Sequence, residues 1–343
     1  MNGSTARRAT IRDVAEQAKV SISTVSHAFS GSRPISQATK DRVFRAAAEL
    51  GYDANPSARS LRTGRSGIVG LVLRPRFALS GTPDRAETFN RLVGSVATEM
   101  LRRKVGLIHV PDLHDPSVSS VPMDGCIVAH PYGADEALAE LRHRGLPVVT
   151  IEEDPDQPEF TWAVRLDYTT VVTALLDHLR DQGASSTALL TGTEGNAWNR
   201  RSQQTYLAWC ERHGHAARTE LLSEGLGIDD AAAVIRPLLA SSERPDAVVV
   251  ATSDFAALTA EIAADQGLRV PGDLMIAALT DTEHSRSAIP PITAMDLNHE
   301  LLAEEAVELM LARLAGAQTP AEPVVIAPTL RVRASTQRSG EAG

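Results

Sequence analysis

The sequence predicts an α/β protein in three parts: an N-terminal three-helix head with a helix-turn-helix, a hinge helix, and a two-lobed core of doubly wound parallel sheets. Three observations predict it. Residues 10–51 carry three short apolar stripes at helical spacing, each behind a residue that caps helices. From Ser66 onward, apolar strand-like runs alternate with amphipathic helical ones, the pattern of parallel sheets covered by helices. Finally, 343 residues exceed what one hydrophobic core organises.

Residues 1–9 read as a disordered basic arm. Thr10 opens the first helix with Asp13 completing a capping box, and Ile11, Val14, Ala15 and Ala18 fall on one face. Val20-Ser21 makes a tight turn, and Ser21 caps a second helix with Val25 and Phe29 inward. Gly31–Pro34 breaks that helix, Ser36 caps a third with Val43, Ala47 and Leu50 inward, and Gly51 stops it. The head therefore spans 10–52. A helix-turn-helix lays its second helix in the major groove of DNA. Ile22, Ser23 and His27 on the outer face then meet base edges, while Thr24 and Ser26 hold phosphates, with Thr10 and Ser21 at the helix starts as further DNA contacts.

Residues 53–65 form the hinge. Asn55 suits a cap and Pro56 a first helical position, but the segment is too short to be helical alone. It fits a helix that folds on DNA beside its symmetry mate. Strands are expected at 68–73, 105–110, 126–130, 148–151, 187–190, 247–251, 274–279 and 324–326, with helices at 85–103, 135–144, 169–182, 199–213, 229–240, 254–266 and 299–315. The first lobe takes 66–165 and 294–325, the second 166–293 and 326–336, and 337–343 is a tail.

Charge divides unevenly. Residues 1–66 hold 11 Lys and Arg against 5 Asp and Glu, net +6, and the remainder hold 23 against 38, net −15. A basic head on an acidic protein favours a polyanionic partner at that end. No apolar run approaches eighteen residues, so no membrane partner is expected, and the N-terminus lacks the apolar core of a signal peptide. Cys126 and Cys210 lack metal spacing, which fits reduced thiols in a cytoplasmic protein, and neither metal nor cofactor is expected. No nucleophile elbow, phosphate-binding loop or zinc-protease motif occurs, so catalysis has no support. The acidic run Glu152-Glu153-Asp154, followed by Pro155 and Pro158, reads as a solvated loop, and His213 and His215 as caps at a helix end.

TIRDVA at Thr10–Ala15, the VS-x-x-TVS run at Val20–Ser26, ELGY at Glu49–Tyr52 and NPSARSLRTG at Asn55–Gly64 resemble the lactose-repressor/galactose-repressor (LacI/GalR) family. MDGCIV at Met123–Val128, PDAVVVATSD at Pro245–Asp254, GLRVPGDL at Gly267–Leu274, PPIT at Pro290–Thr293 and RVRAST at Arg331–Thr336 extend the resemblance over nearly the whole chain. It implies a core like the periplasmic sugar-binding proteins and a hinge helix in the minor groove, with Asn55, Ser57, Arg59 and Ser60 at the DNA and Leu61 wedging a base step. Where the family most often has Arg, this chain has His27, so its operator is expected to differ at the matching base pair.

The effector cleft should lie beyond the C-terminal strand ends. Arg74, His130, Asp167, Trp198, Arg200, Arg201, Ser202, Ser253, Asp254, Thr280 and Asp281 are its expected lining, with His109, Asp112, Tyr132 and Glu152 at the same mouth. By resemblance Asp167 is the pocket carboxylate and Ser253 replaces a pocket Asn or Ser. Ser202 stands where the family has a pocket Arg, Thr280 where it has an Asp, and Tyr168 where an Asn follows the lobe-crossing Asp. These departures weaken the case for a common free sugar. The stretch at 111–122 lacks the family's usual helix.

The expected function is a homodimeric, sequence-specific transcription regulator, a repressor controlled by a small molecule and acting on a palindromic double-stranded operator. The alternative is a small-molecule binding protein or sugar-modifying enzyme with a vestigial head.

Overall fold

The computed structural model describes residues 9–30, 33–52, 65–74, 87–110, 113, 121–223 and 227–338. The chain divides into a head, Met1–Ile68, and a core, Val69–Gly343. The hinge contacts expected at Asn55, Ser57, Arg59, Ser60 and Leu61 lie outside the described residues, as do Asp112 and most of the 111–122 stretch.

In the head, α1 (Ile11–Ala18), α2 (Ile22–Ser30) and α3 (Gln37–Glu49) enclose Val14, Val25 and Val43, with Ala15, Ala18, Ala28, Ala46 and Ala47. Thr10 closes the capping box, its N–H donating to Asp13 at 2.7 Å, and Lys19 ends α1 in a left-handed conformation. Small alanines bring the helices close, and Phe29 fills the remaining side edge-on to Phe44 and Tyr52.

The core holds two six-stranded sheets. The first runs β11 (Val324–Ile326), β5 (Ala163–Leu166), β4 (Val148–Ile151), β3 (Gly125–Ala129), β1 (Ile68–Leu73), β2 (Gly106–His109). The second runs β12 (Thr329–Arg331), β10 (Thr293–Asp296), β9 (Met275–Ala278), β8 (Ala247–Val250), β6 (Thr187–Thr191), β7 (Arg218–Leu221). The pairs β11–β5, β5–β4, β4–β3, β3–β1, β10–β9, β9–β8, β8–β6 and β6–β7 are parallel, and β12 runs antiparallel to β10. The inner strands are buried on both faces, hence their continuous Val, Ile, Leu and Ala runs.

α4 (Glu87–Arg102), α5 (Glu136–His143) and α11 (His299–Leu314) belong to the first lobe; α6 (Tyr168–Asp181), α7 (Ala197–His213), α8 (Ile228–Ala240), α9 (Ser253–Asp265) and the short α10 (Glu283–Ser287) belong to the second. The chain crosses between lobes three times: between β5 and α6, between β10 and α11, and between β11 and β12. The second crossing corrects the expectation at 293/294. Thr293–Asp296 pairs with β9 in the second sheet, so the chain leaves that lobe only after Asp296. Four short strands, β5, β7, β10 and β12, add to those the sequence predicts.

Candidate DNA-reading face and inter-lobe cleft

The described face of α2 is polar and open. Ile22 is 45% exposed and Ser23 is exposed, while Thr24, Ser26 and His27 are half-buried. Ser21 is partly committed to the turn: its hydroxyl accepts the Thr24 N–H at 3.1 Å and bonds the Ser23 and Thr24 hydroxyls at 2.7 and 2.8 Å. Thr10 likewise spends its hydroxyl on Asp13 at 2.7 Å. Both are helix caps by geometry. Ile22, Ser23, Ser26 and His27 stand along the remaining face of α2.

In the core, each sheet reverses its winding once, between β1 and β3 and between β6 and β8. Ligands collect outside the strand ends at such points. Arg74 and His130 follow β1 and β3 there, joined through the Arg74 N–H on Ala129 O at 3.1 Å. Ser253 opens α9 after β8. Arg74 and His130 in the first lobe and Ser253 in the second thus each follow a strand that borders its sheet's reversal point, and Arg74 and Ser253 spend polar atoms on protein partners.

Arg74 donates to Asp135 at 2.7 Å and lies over the Tyr132 ring. Asp135 also caps α5 and accepts the Tyr132 N–H. Arg200 pairs with Asp156 at 2.6 Å, and Arg201 with Glu153 at 2.6 Å; Glu153 also binds Arg165. Both α7 arginines thus reach from the second lobe to the first. The Gly133 N–H donates to Gly195 O at 2.9 Å on the same side, and a Cβ on Gly133 would strike the Asp156–Arg200 pair. Elsewhere between the lobes, Arg286 and the Glu283 N–H hold Glu87 at 3.1 and 2.8 Å.

The second lobe's remaining residues are mutually occupied. Asp281 pairs with Arg333 at 2.7 Å and accepts the Ser285 hydroxyl. Thr280 accepts the Ser253 N–H at 2.9 Å, and the Ser253 hydroxyl meets Thr282 at 2.5 Å. Asp254 is half-buried in the first turn of α9. Asp167 is the N-cap of α6, accepting from Thr170 at 3.0 Å at the first crossing. His109 is exposed at the end of β2.

Reading Glu152-Glu153-Asp154 as a solvated loop is wrong: they are 1%, 5% and 2% exposed. Asp154 accepts the Ala134 and Asp135 N–H groups, Glu153 holds two guanidiniums, and Glu152 accepts the Leu166 N–H at 3.2 Å. The prolines mislead because they mark the turn, while the acidic residues sit at the inward end of β4. Their position directly after the buried run VVTI was the signal that places them.

Glu152 and His130 follow neighbouring strands, both in left-handed backbone, φ 72 and 54, rare for residues with a Cβ and a form of strain that gathers at functional sites. The phenol of Tyr168 lies against the Glu152 carboxyl, yet Glu152 Oε2, Tyr168 OH and Ser202 Oγ complete no hydrogen bond of normal geometry. Trp198 stands edge-on to Tyr168, one helical turn from Ser202. On the first-lobe side, Phe89 stands edge-on to His130, near His299, whose Nδ1 is also buried without a partner. Burial pushes Glu152 up to about 8, opposed by the adjacent Tyr168 phenol and the Leu166 N–H, and pushes His130 and His299 each down to about 4. At neutral pH all three are uncharged. Tyr168 stands beside Glu152, and Phe89 and His299 beside His130; the sequence reading selected none of the three for its pocket.

Comparison with known proteins accords with this build. Residues 10–55 match the model of bacterial regulatory proteins, lacI family, and residues 176–336 the periplasmic binding protein-like domain. The chain is 26% identical over 340 residues to the HTH-type transcriptional repressor PurR of Mannheimia succiniciproducens, covering 96% of this chain and 99% of that protein. It is 27% identical over 301 residues to catabolite control protein A of Priestia megaterium, covering 83% and 86%. Among solved structures, the lac repressor dimer bound to operator and an anti-inducer aligns with TM-score 0.80 at 21% identity, over 97% of this chain and 100% of that one. A complex of the transcriptional regulator CelR with cellobiose aligns with TM-score 0.70 at 23% identity, over 96% and 100%. Among the described residues no helix is long and apolar enough to cross a membrane. The chain thus joins a DNA-binding domain of the bacterial regulatory lacI family at residues 10–55 to a periplasmic binding protein-like domain at residues 176–336, the build of a DNA-binding transcriptional regulator.

Proposed function

We propose that the chain is a repressor, not an enzyme, that reads a palindromic operator as a homodimer and answers to a small molecule in the inter-lobe cleft. The observation that carries this is the outer face of α2, with Ile22 and Ser23 exposed, on a three-helix head that encloses Val14, Val25 and Val43. One such head covers a half-site, and a two-fold pair reads two half-sites in successive major grooves. Ile22, Ser23, Ser26 and His27 contact bases or phosphates, and residues 53–65 form the hinge, with Leu61 as the minor-groove wedge. The lobes comprise residues 66–166 with 297–326 and residues 167–296 with 327–336. The regulator works in the compartment that holds its DNA.

The effector acts by binding one arrangement of the lobes better than another, and about 1–3 kcal/mol of such preference changes DNA occupancy several-fold to a hundred-fold. Its site is drawn from Arg74, His130, Trp198, Ser202 and Ser253, joined by Glu152, Tyr168 and His299. Selection of binding sites from random DNA with the full-length protein, followed by footprinting, tests the reading. A palindromic site should emerge, His27→Arg should alter the preferred base in each half-site, and Leu61→Ala should weaken binding at least tenfold. Failure to enrich any palindrome, or full affinity in Leu61→Ala, would sink it.

A further inference from the structure

Two segments, the loop 130–135 of the first lobe and residues 193–201 leading into α7 of the second, join directly. Tyr132 pairs with Asn196 as an isolated antiparallel bridge, and the Gly133 N–H donates to Gly195 O at 2.9 Å. Beside that bridge Arg200 meets Asp156 and Arg201 meets Glu153, each at 2.6 Å. The approach leaves no room for a side chain: a Cβ on Gly133 would come 2.6 Å from Arg200 Nη2, in a backbone that is not left-handed. Each segment is also stiffened from within its own lobe. Asp154 accepts the Ala134 and Asp135 N–H groups at 3.1 Å each and the Asp156 N–H at 2.9 Å, and Asp135 accepts the Tyr132 N–H at 2.9 Å. Opposite, Asn196 caps α7 on the Asn199 N–H at 3.0 Å, and the Asn199 side-chain amide donates to Glu194 O at 3.0 Å. Asp135, Asp154, Asn196 and Asn199 are all buried, so both segments hold their shape without help from the other lobe.

We propose that these residues form a clasp that holds the two lobes shut when no ligand is present and that opens reversibly as a unit. Segments already shaped lose little conformational freedom on meeting, so two ion pairs and a backbone hydrogen bond suffice to favour the shut arrangement. Reversibility has two sources. The Arg200 and Asp156 side chains are 42% and 46% exposed, a pair worth little alone. Glu153, buried, also binds Arg165 of its own lobe, so parting the lobes removes one guanidinium and leaves the carboxylate paired rather than stranded. The shut core is therefore the resting state, and a signal acts by opening it against the chain's own contacts. That last step rests on the effector acting between the lobes; the clasp itself does not.

Hydrogen exchange of the full-length protein without added ligand, resolved to single amides by fragmentation mass spectrometry, tests this. The Gly133 amide bonds from lobe to lobe, whereas the Tyr132, Ala134 and Asp135 amides bond within the first lobe. All four should be protected in the wild type. In Arg200→Gln combined with Arg201→Gln, Gly133 should exchange about tenfold faster, a modest loss for two ion pairs of which one is half exposed. Its three neighbours should keep their protection. Asp156→Arg alone should also speed Gly133, and adding Arg200→Asp, which reverses the pair, should slow it again. Four results overturn the clasp: Gly133 exchanging like an open loop in the wild type, unchanged exchange in the variants, loss of the neighbours' protection together with that of Gly133, or no recovery in the reversed pair. Failure of the selection from random DNA would sink the regulator reading and leave the clasp standing.

Discussion

Glu152 has one carboxyl oxygen on the Leu166 amide and the other beside the Tyr168 phenol, away from water. Its folded titration point, about 8, lies above the ordinary carboxylate value, so between roughly pH 4.5 and 8 the folded chain keeps a proton the unfolded chain has released. Stability therefore falls as pH rises through that window and levels off above it. His130 and His299, held down to about 4, act oppositely: the unfolded chain gains their protons first as pH falls below about 6.5, and stability declines toward acid. These three groups together favour greatest stability near pH 6.5. Replacing Glu152 with Gln should flatten the alkaline limb, gaining about 2 kcal/mol between pH 6.5 and 8 at one proton per pH unit. The acid limb should persist. Urea unfolding across pH 4–9 measures both, and an unchanged alkaline limb would contradict the burial argument. None of this was legible beforehand, because the four characters EEDP suit a solvated turn as well as a buried cluster. What separates them is the crossing strand β5 and Arg201 arriving from residues far along the chain.

The head was readable because each of its elements carries local instructions. Thr10 and Asp13 satisfy one another and the first-turn amides, so Thr10→Ala should cost α1 about 1 kcal/mol. Hydrogen exchange of the α1 amides should then speed about fivefold where local opening governs it, while β3 and β8 stay unchanged; exchange at the wild-type rate would show the cap to be idle. The strands that the sequence reading missed share the opposite property. β5 reads AVRL, β7 RTEL and β12 TLR, short and interrupted by charge, and their strand character comes from pairing with distant partners. β10 misplaced a lobe boundary for the same reason: TAMD pairs with β9 through contacts no local pattern announces. In α7 the heptapeptide AWNRRSQ showed its two arginines plainly, but whether they met a ligand or Glu153 and Asp156 depended on how the lobes face one another.

At the scale of the whole molecule, charge is the most legible property. A head of net +6 and a remainder of net −15 leave only one end attractive to DNA. Operator affinity should fall by about a thousandfold from 50 to 200 mM salt. Filter binding across that range checks this, and an affinity indifferent to salt would tell against the division. The order of the two sheets was foreseeable only as alternation; that both follow the same winding, with the edge strand supplied from the C-terminus, required the pairings. That last arrangement has a consequence for the chain's birth. Residues 68–166 leave the ribosome well before α11 and β11, which complete the first lobe, and the second lobe waits for β12 and for Ser335, whose hydroxyl donates to Ile276 O at 2.6 Å. Each lobe waits for strands made about 160 residues or more after its first helix–strand units, so the head, whose three helices end at Glu49, is synthesised well before either lobe can close.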